Sequence, residues 1–72
     1  MTAVKIIKVL GTSTDSWEDA AREAIAQASE SVEDISGIEV EDWTAKVEDG
    51  RITEYKATVE IAFPVHGHRQ QP

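Results

Sequence analysis

Cysteine is absent from this 72-residue chain, and histidine occurs only as His66 and His68, in its polar last stretch. That excludes a disulfide framework and any thiolate cluster, and two histidines in such a stretch make at most a weak, adventitious metal site. Basic residues number 7 against 14 acidic, a formal net charge of −7. The summed field therefore repels phosphate backbones and anionic headgroups, which argues against nucleic acid and membranes as partners. No apolar run approaches the roughly 18 residues of a membrane span. Met1 is followed by small residues and a lysine-containing, strand-like run, so no signal peptide is predicted and a soluble, cytoplasmic protein is expected.

Catalytic signatures are missing as well. The four glycines are scattered at 11, 37, 50 and 67, which leaves no phosphate-cradling or dinucleotide-binding loop. The serines sit at caps or on a polar helix face, with no imidazole placed to activate one. Carboxylates are plentiful, but abundance alone does not make an acid pair, and the protein is expected not to be an enzyme. The acids Glu30, Glu33, Asp34, Glu39, Glu41, Asp42, Glu48 and Asp49 crowd one stretch whose only basic residue is Lys46. A solvated acidic face explains that run more simply than a cation site.

A chain this short buries only about 60% of its unfolded surface when it folds alone. Without a disulfide or metal staple, partner subunits are the remaining means of burying more.

What is present reads as strand, helix, strand, strand. V4-K-I-I-K-V-L10 is rich in β-branched residues and ends in G11-T-S-T-D15, which is turn and cap chemistry. Adjacent apolar pairs, Ile6 with Ile7 and Val9 with Leu10, give this strand two apolar faces, one more than a single helix can cover. Trp17, Ala20, Ala21, Ala24, Ile25, Ala28 and Val32 follow helical spacing on one stripe. Ser16 is the expected N-cap, accepting from the backbone N–H of Asp19.

In the second strand the apolar set moves from the even positions Ile38 and Val40 to the odd positions Trp43, Ala45 and Val47, the signature of a bulge or strong bend. Trp43 is expected to pack at that bend or at a subunit interface. Asp49-Gly50 marks a hairpin. The third strand, from Ile52 to Val65, alternates cleanly: Tyr55, Ala57, Val59, Ile61, Phe63 and Val65 on one face, Glu54, Lys56, Thr58 and Glu60 on the other. The fold class is α+β: a three-stranded antiparallel sheet in the order one, three, two, curled around one helix. Strand two is left at an edge. Residues 1–66 form one domain, and residues 67–72 are expected to be a disordered tail.

Three segments, G11-T-S-T-D-S-W-E-D-A-A21, I38-E-V40 and Y55-K-A-T-V-E-I-A-F63, together resemble the dodecin family over residues 4–65. The resemblance implies a β-α-β-β subunit, a hollow homododecamer, and a role in storing or sequestering flavins without catalysis. In flavin-binding members each ring lies between tryptophans of two subunits and is held by a glutamine. The tryptophan position falls here on Gly37 and the glutamine position on Lys56. The implied ligand pocket comprises Gly37, Ile38, Asp42 and Lys56, with riboflavin or FMN as the family's ligands. The S16-W-E18 sequence and the basic residue after Tyr55 are similar to the calcium dodecin branch, and cation sites of the wider family match Asp15 and Asp42. Two readings stay open. One is a shell that stores a flavin or another small ligand; the other is a shell that binds calcium or magnesium, or none, without flavin.

Overall fold

A computed structural model describes residues 3–65. The His66 and His68 element, the expected tail and the domain boundary at residue 66 lie outside the described residues. The elements are β1 (Ala3–Ser13), α1 (Trp17–Ser29), β2 (Gly37–Glu48) and β3 (Arg51–Val65). They form a three-stranded antiparallel sheet in the order β1-β3-β2, the α+β arrangement that the alternation and the hairpin signal predict. No helix among the described residues is long and apolar enough to cross a membrane.

Register follows the apolar pattern. Ile7, Ile61 and Ile38 share one row across the sheet, and Val9, Val59 and Val40 share another. These rows face the helix, whose buried residues are Ala20, Ala21, Ala24 and Ala28. Val59 and Ile61 are the largest fully buried side chains, each contributing about 1.5–3 kcal/mol by leaving water. An alanine stripe lets the helix lie close, and Gly11 in β1 makes the approach closer still. A Cβ there would run into the carbonyl oxygen of Ala20 and stand 2.8 Å from the amide nitrogen of Ala24.

Helix α1 starts where the cap chemistry predicts, with Ser16 Oγ accepting from Asp19 N at 3.0 Å. It ends at Ser29, short of Val32, which the periodic stripe had included. The amides of Ser31 and Val32 both donate to the carbonyl of Ala28, closing a turn that still packs Val32 against the core. Side-chain spacing is blind to this, because a single turn after a helix preserves the same face.

The expected bulge is present. Val40 pairs with Val59 and Asp42 with Thr58, leaving Glu41 as the extra residue. The parity shift returns Trp43 to the helix face, opposite the buried Ala57. At the hairpin, Glu48 pairs with Arg51 across a two-residue turn in which Asp49 (φ 52) and Gly50 (φ 75) are both left-handed. Two successive positive φ angles make this a type I′ turn, for which Asp-Gly is suited. Pro64 is tolerated in β3 because β2 begins at the Gly37–Ala62 row, so that Pro64 has a strand neighbour only in β1.

The sheet face away from the helix has no layer over it. Val4, Ile6 and Leu10 of β1 stand on it 60%, 57% and 54% exposed, the uncovered second apolar face that the doublets of β1 predict.

Candidate functional site

Gly37 and Lys56, the two positions that the family resemblance singles out, both lie on this open face. Gly37 pairs with Ala62, which in turn pairs with Ile6, whereas Lys56 lies between Thr12 and Thr44. Six residues of β3 separate the two rows, about 20 Å at the rise of a strand. One chain therefore does not bring Gly37 and Lys56 into one pocket. Asp42, opposite Thr58, is a diagonal neighbour of Lys56 on the same face, while Ile38 turns toward the helix side through its pairing with Ile61.

Around Gly37 the face forms an open cavity of about 230 Å³, lined by Ile6, Gly37, Ile38, Glu39, Glu60 and Ala62. A Cβ built on Gly37 would meet nothing within 4 Å. The position is thus free to carry a side chain and carries none.

The electrostatics of this face come from one cross-strand group. Lys8, Glu60 and Glu39 stand in one row, and the bulge residue Glu41 reaches Lys8, with Nζ to Oε1 at 3.1 Å. The hydrogen bond with Glu41 holds the Glu60 carboxyl above the usual carboxylate range, and the charge of Glu41 adds to the effect. Glu41 is held below that range, first by the hydrogen bond from Glu60 and then by the one from Lys8. Lys8 is pushed up, chiefly by its hydrogen bond to Glu41. The sequence pattern put Glu39 and Glu41 in a uniform acidic run and Glu60 apart from it, on the polar face of the third strand. It missed the Glu41–Glu60 pair, because only the bulge and the register bring residues 41 and 60 together.

The proposed cation ligands stand on different elements. Asp15 lies in the loop before α1, where its backbone N–H donates to Ser13 Oγ at 2.9 Å, and Asp42 is on the open face of β2. Among the described residues, no group of three or more His, Cys, Asp or Glu side chains is placed to hold a metal ion within one chain.

A second feature, on the helix side, was also not legible from spacing. Trp17 meets Tyr55 edge to face, with ring centroids 4.8 Å apart and planes at 76°, and meets Trp43 at 6.5 Å and 81°. Its Nε1–H donates to the Thr44 carbonyl at 2.7 Å, which fixes the indole. Trp43 does pack at the bend as expected, yet it remains 49% exposed. Beside the two rings lies an open cleft of about 460 Å³ lined by Ser16, Trp17, Glu18 and Trp43.

The sheet order, the bulged edge strand and the single alanine-faced helix coincide with one known family. The dodecin family model matches residues 3–66. The chain belongs to the dodecin family. The calcium dodecin of Mycobacterium tuberculosis is 41% identical over 64 residues, covering 88% of this chain and 89% of its own. The crystal structure of that protein, described as calcium-chelating with a novel calcium-binding site, superposes with a TM-score of 0.77, at 37% identity and 97% coverage of both chains. The dodecin of Streptomyces coelicolor superposes with a TM-score of 0.88 at 24% identity, over 92% of this chain and 94% of that one. The latter likeness speaks for the fold alone.

Proposed function

We propose that this dodecin is a non-catalytic, cytoplasmic, shell-forming protein that binds a small ligand, and that the ligand is a divalent cation, calcium or magnesium, rather than a stacked flavin. Gly37 carries the reading. Where flavin-binding dodecins stack a ring on tryptophan, this chain offers open space beside two carboxylates, Glu39 and Glu60. Loss of an aromatic platform removes about 1–3 kcal/mol per contact, and carboxylate oxygens suit a hard cation better than an electron-rich ring. The 41% identity to a calcium dodecin supports the same choice. Asp15 and Asp42 are the proposed ligands, drawn from different copies of the domain spanning residues 1–66. The homododecamer is supported by the apolar open face and by the short chain's small core.

The test is a pair of melting curves at fixed protein concentration, with excess calcium or magnesium and with chelator. A cation at 100 times its dissociation constant stabilises the folded state by about 2.7 kcal/mol. The expected outcome is a melting temperature that rises with the ion, and a rise abolished in the Asp15→Asn, Asp42→Asn double variant. An unchanged melting temperature sinks the cation reading.

Flavin storage is the second reading, and one observation favours it. The cavity at Gly37 has apolar walls in Ile6, Ile38 and Ala62, while Lys56 on the same face of a neighbouring copy is suited to pair with the phosphate of FMN. Saturable quenching of riboflavin or FMN fluorescence at micromolar concentrations establishes it. No quenching up to high micromolar removes it.

A further inference from the structure

The cleft beside Trp17 and Trp43 lies on the opposite side of the sheet from Gly37, and Asp15, one of the two proposed metal-ion ligands, immediately precedes its lining residue Ser16. Its walls are two indoles nearly at right angles, 81° apart. A flat aromatic ligand can stack on only one wall of such a corner, because the other presents itself edge-on. A compact cation is favoured by whichever indole offers it a face, since each face carries the negative part of the ring quadrupole.

Charge points the same way. Glu18 lines the cleft, and among the described residues its carboxylate forms no ion pair. The cleft lies at the N-terminal end of α1, whose dipole places roughly half a positive charge there. Asp15, Glu18 and Asp19 outweigh it, and the free donors are reduced because Ser16 Oγ takes the amide of Asp19 and Ser16 O takes that of Ala20. The corner is also held in place: Trp17 is fixed by its bond to Thr44 and its contact with Tyr55.

We infer that the Trp17–Trp43 corner with Glu18 at its rim is a binding site for an organic ammonium cation, of the quaternary or alkylated amine class. A hydrated metal ion lacks the apolar surface to displace water from the indoles. An alkylammonium head has both the charge and the methyl surface.

Choline is the probe, and 3,3-dimethylbutan-1-ol, which has the same shape without the charge, is its control. The full chain is titrated in chelator, so that divalent ions do not contribute, and emission from its two tryptophans is followed. The expected result is a saturable change with choline, at least about tenfold weaker with the neutral isostere, in line with the strength of cation–π contacts. Glu18→Gln, a surface change that keeps both rings, is expected to weaken choline binding about tenfold, and Trp43→Leu to abolish it. The proposal is overturned by the absence of a saturable change, as when another copy of the chain covers the cleft. An equal response to the isostere, or full binding by Glu18→Gln, overturns it as well.

Discussion

The indole nitrogen of Trp17 donates a 2.7 Å hydrogen bond to the carbonyl oxygen of Thr44, tying the first residue of the helix to the edge strand just past its bulge. Replacing Trp17 with Phe keeps a ring against Tyr55 but leaves that carbonyl without its donor. The expected cost is about 1–2 kcal/mol, the net worth of one hydrogen bond with some lost area, read as a lowered urea midpoint with unchanged slope.

The three glycines of the described residues are predicted to respond very differently to alanine. At Gly11 the new methyl collides with backbone of α1, which cannot rotate away, so a loss of about 3 kcal/mol or failure to fold is expected. At Gly50 the space is open but φ is 75, and the cost is about 1 kcal/mol of backbone strain. At Gly37 neither constraint applies, and the change stays within about 0.5 kcal/mol. Thermal melts of the three single variants check the ranking.

Gly37 also allows a test by gain. Because nothing stands within 4 Å of a side chain started there, Gly37→Trp should fold as the parent does. It is expected to bind riboflavin at least about tenfold more tightly, the equivalent of one recovered stacking contact. Flavin fluorescence quenching measures it, and equal affinity in parent and variant refutes the role assigned to this position.

The Glu41–Glu60 pair sets a pH dependence with opposing signs. Glu60 is raised, so as pH falls from neutral toward the ordinary glutamate value of about 4.3, the folded chain takes up that proton first and stability rises. Glu41 is lowered, so its contribution, present above the ordinary value, is lost as pH falls through its folded pKa. These two groups together favour stability most near the ordinary glutamate value, where Glu60 is protonated and Glu41 still ionised. Glu60→Gln, which supplies a permanent donor to Glu41, should be more stable than the parent at neutral pH and should lack the acid-side rise. Denaturation midpoints across that range, at one protein concentration, decide it.

Elements whose neighbours are close in sequence were legible before any coordinates. The Ser16 cap, the Asp49-Gly50 turn and the alternation of β3 each depend on a few adjacent residues. The bulge was legible too, since an extra residue must invert apolar parity, and Trp43 does so visibly. Val32 was assigned to the helix stripe because the turn after Ser29 keeps the same facing. Contacts set by register were out of reach: Glu41 with Glu60, and Trp17 with Trp43, are joined only once the strands are aligned. The candidate pocket shows the same limit. Gly37 and Lys56 were grouped by family pattern, and the sheet sets them six rows apart in one chain.

Residues 3 and 65 stand opposite each other at one corner of the sheet, while Glu48 and Arg51 meet at the other end across the tightest turn. The β2–β3 hairpin can therefore zip from its own turn in microseconds, whereas β1 must first close the loop of about 40 residues between Ser13 and Tyr55 before its pairing gains anything. The backbone is almost a ring. Cutting it at Asp49-Gly50 and linking residue 65 to residue 3 keeps every strand pair yet makes β1–β3 the local hairpin, so the permuted chain reaches the same sheet in the reverse order.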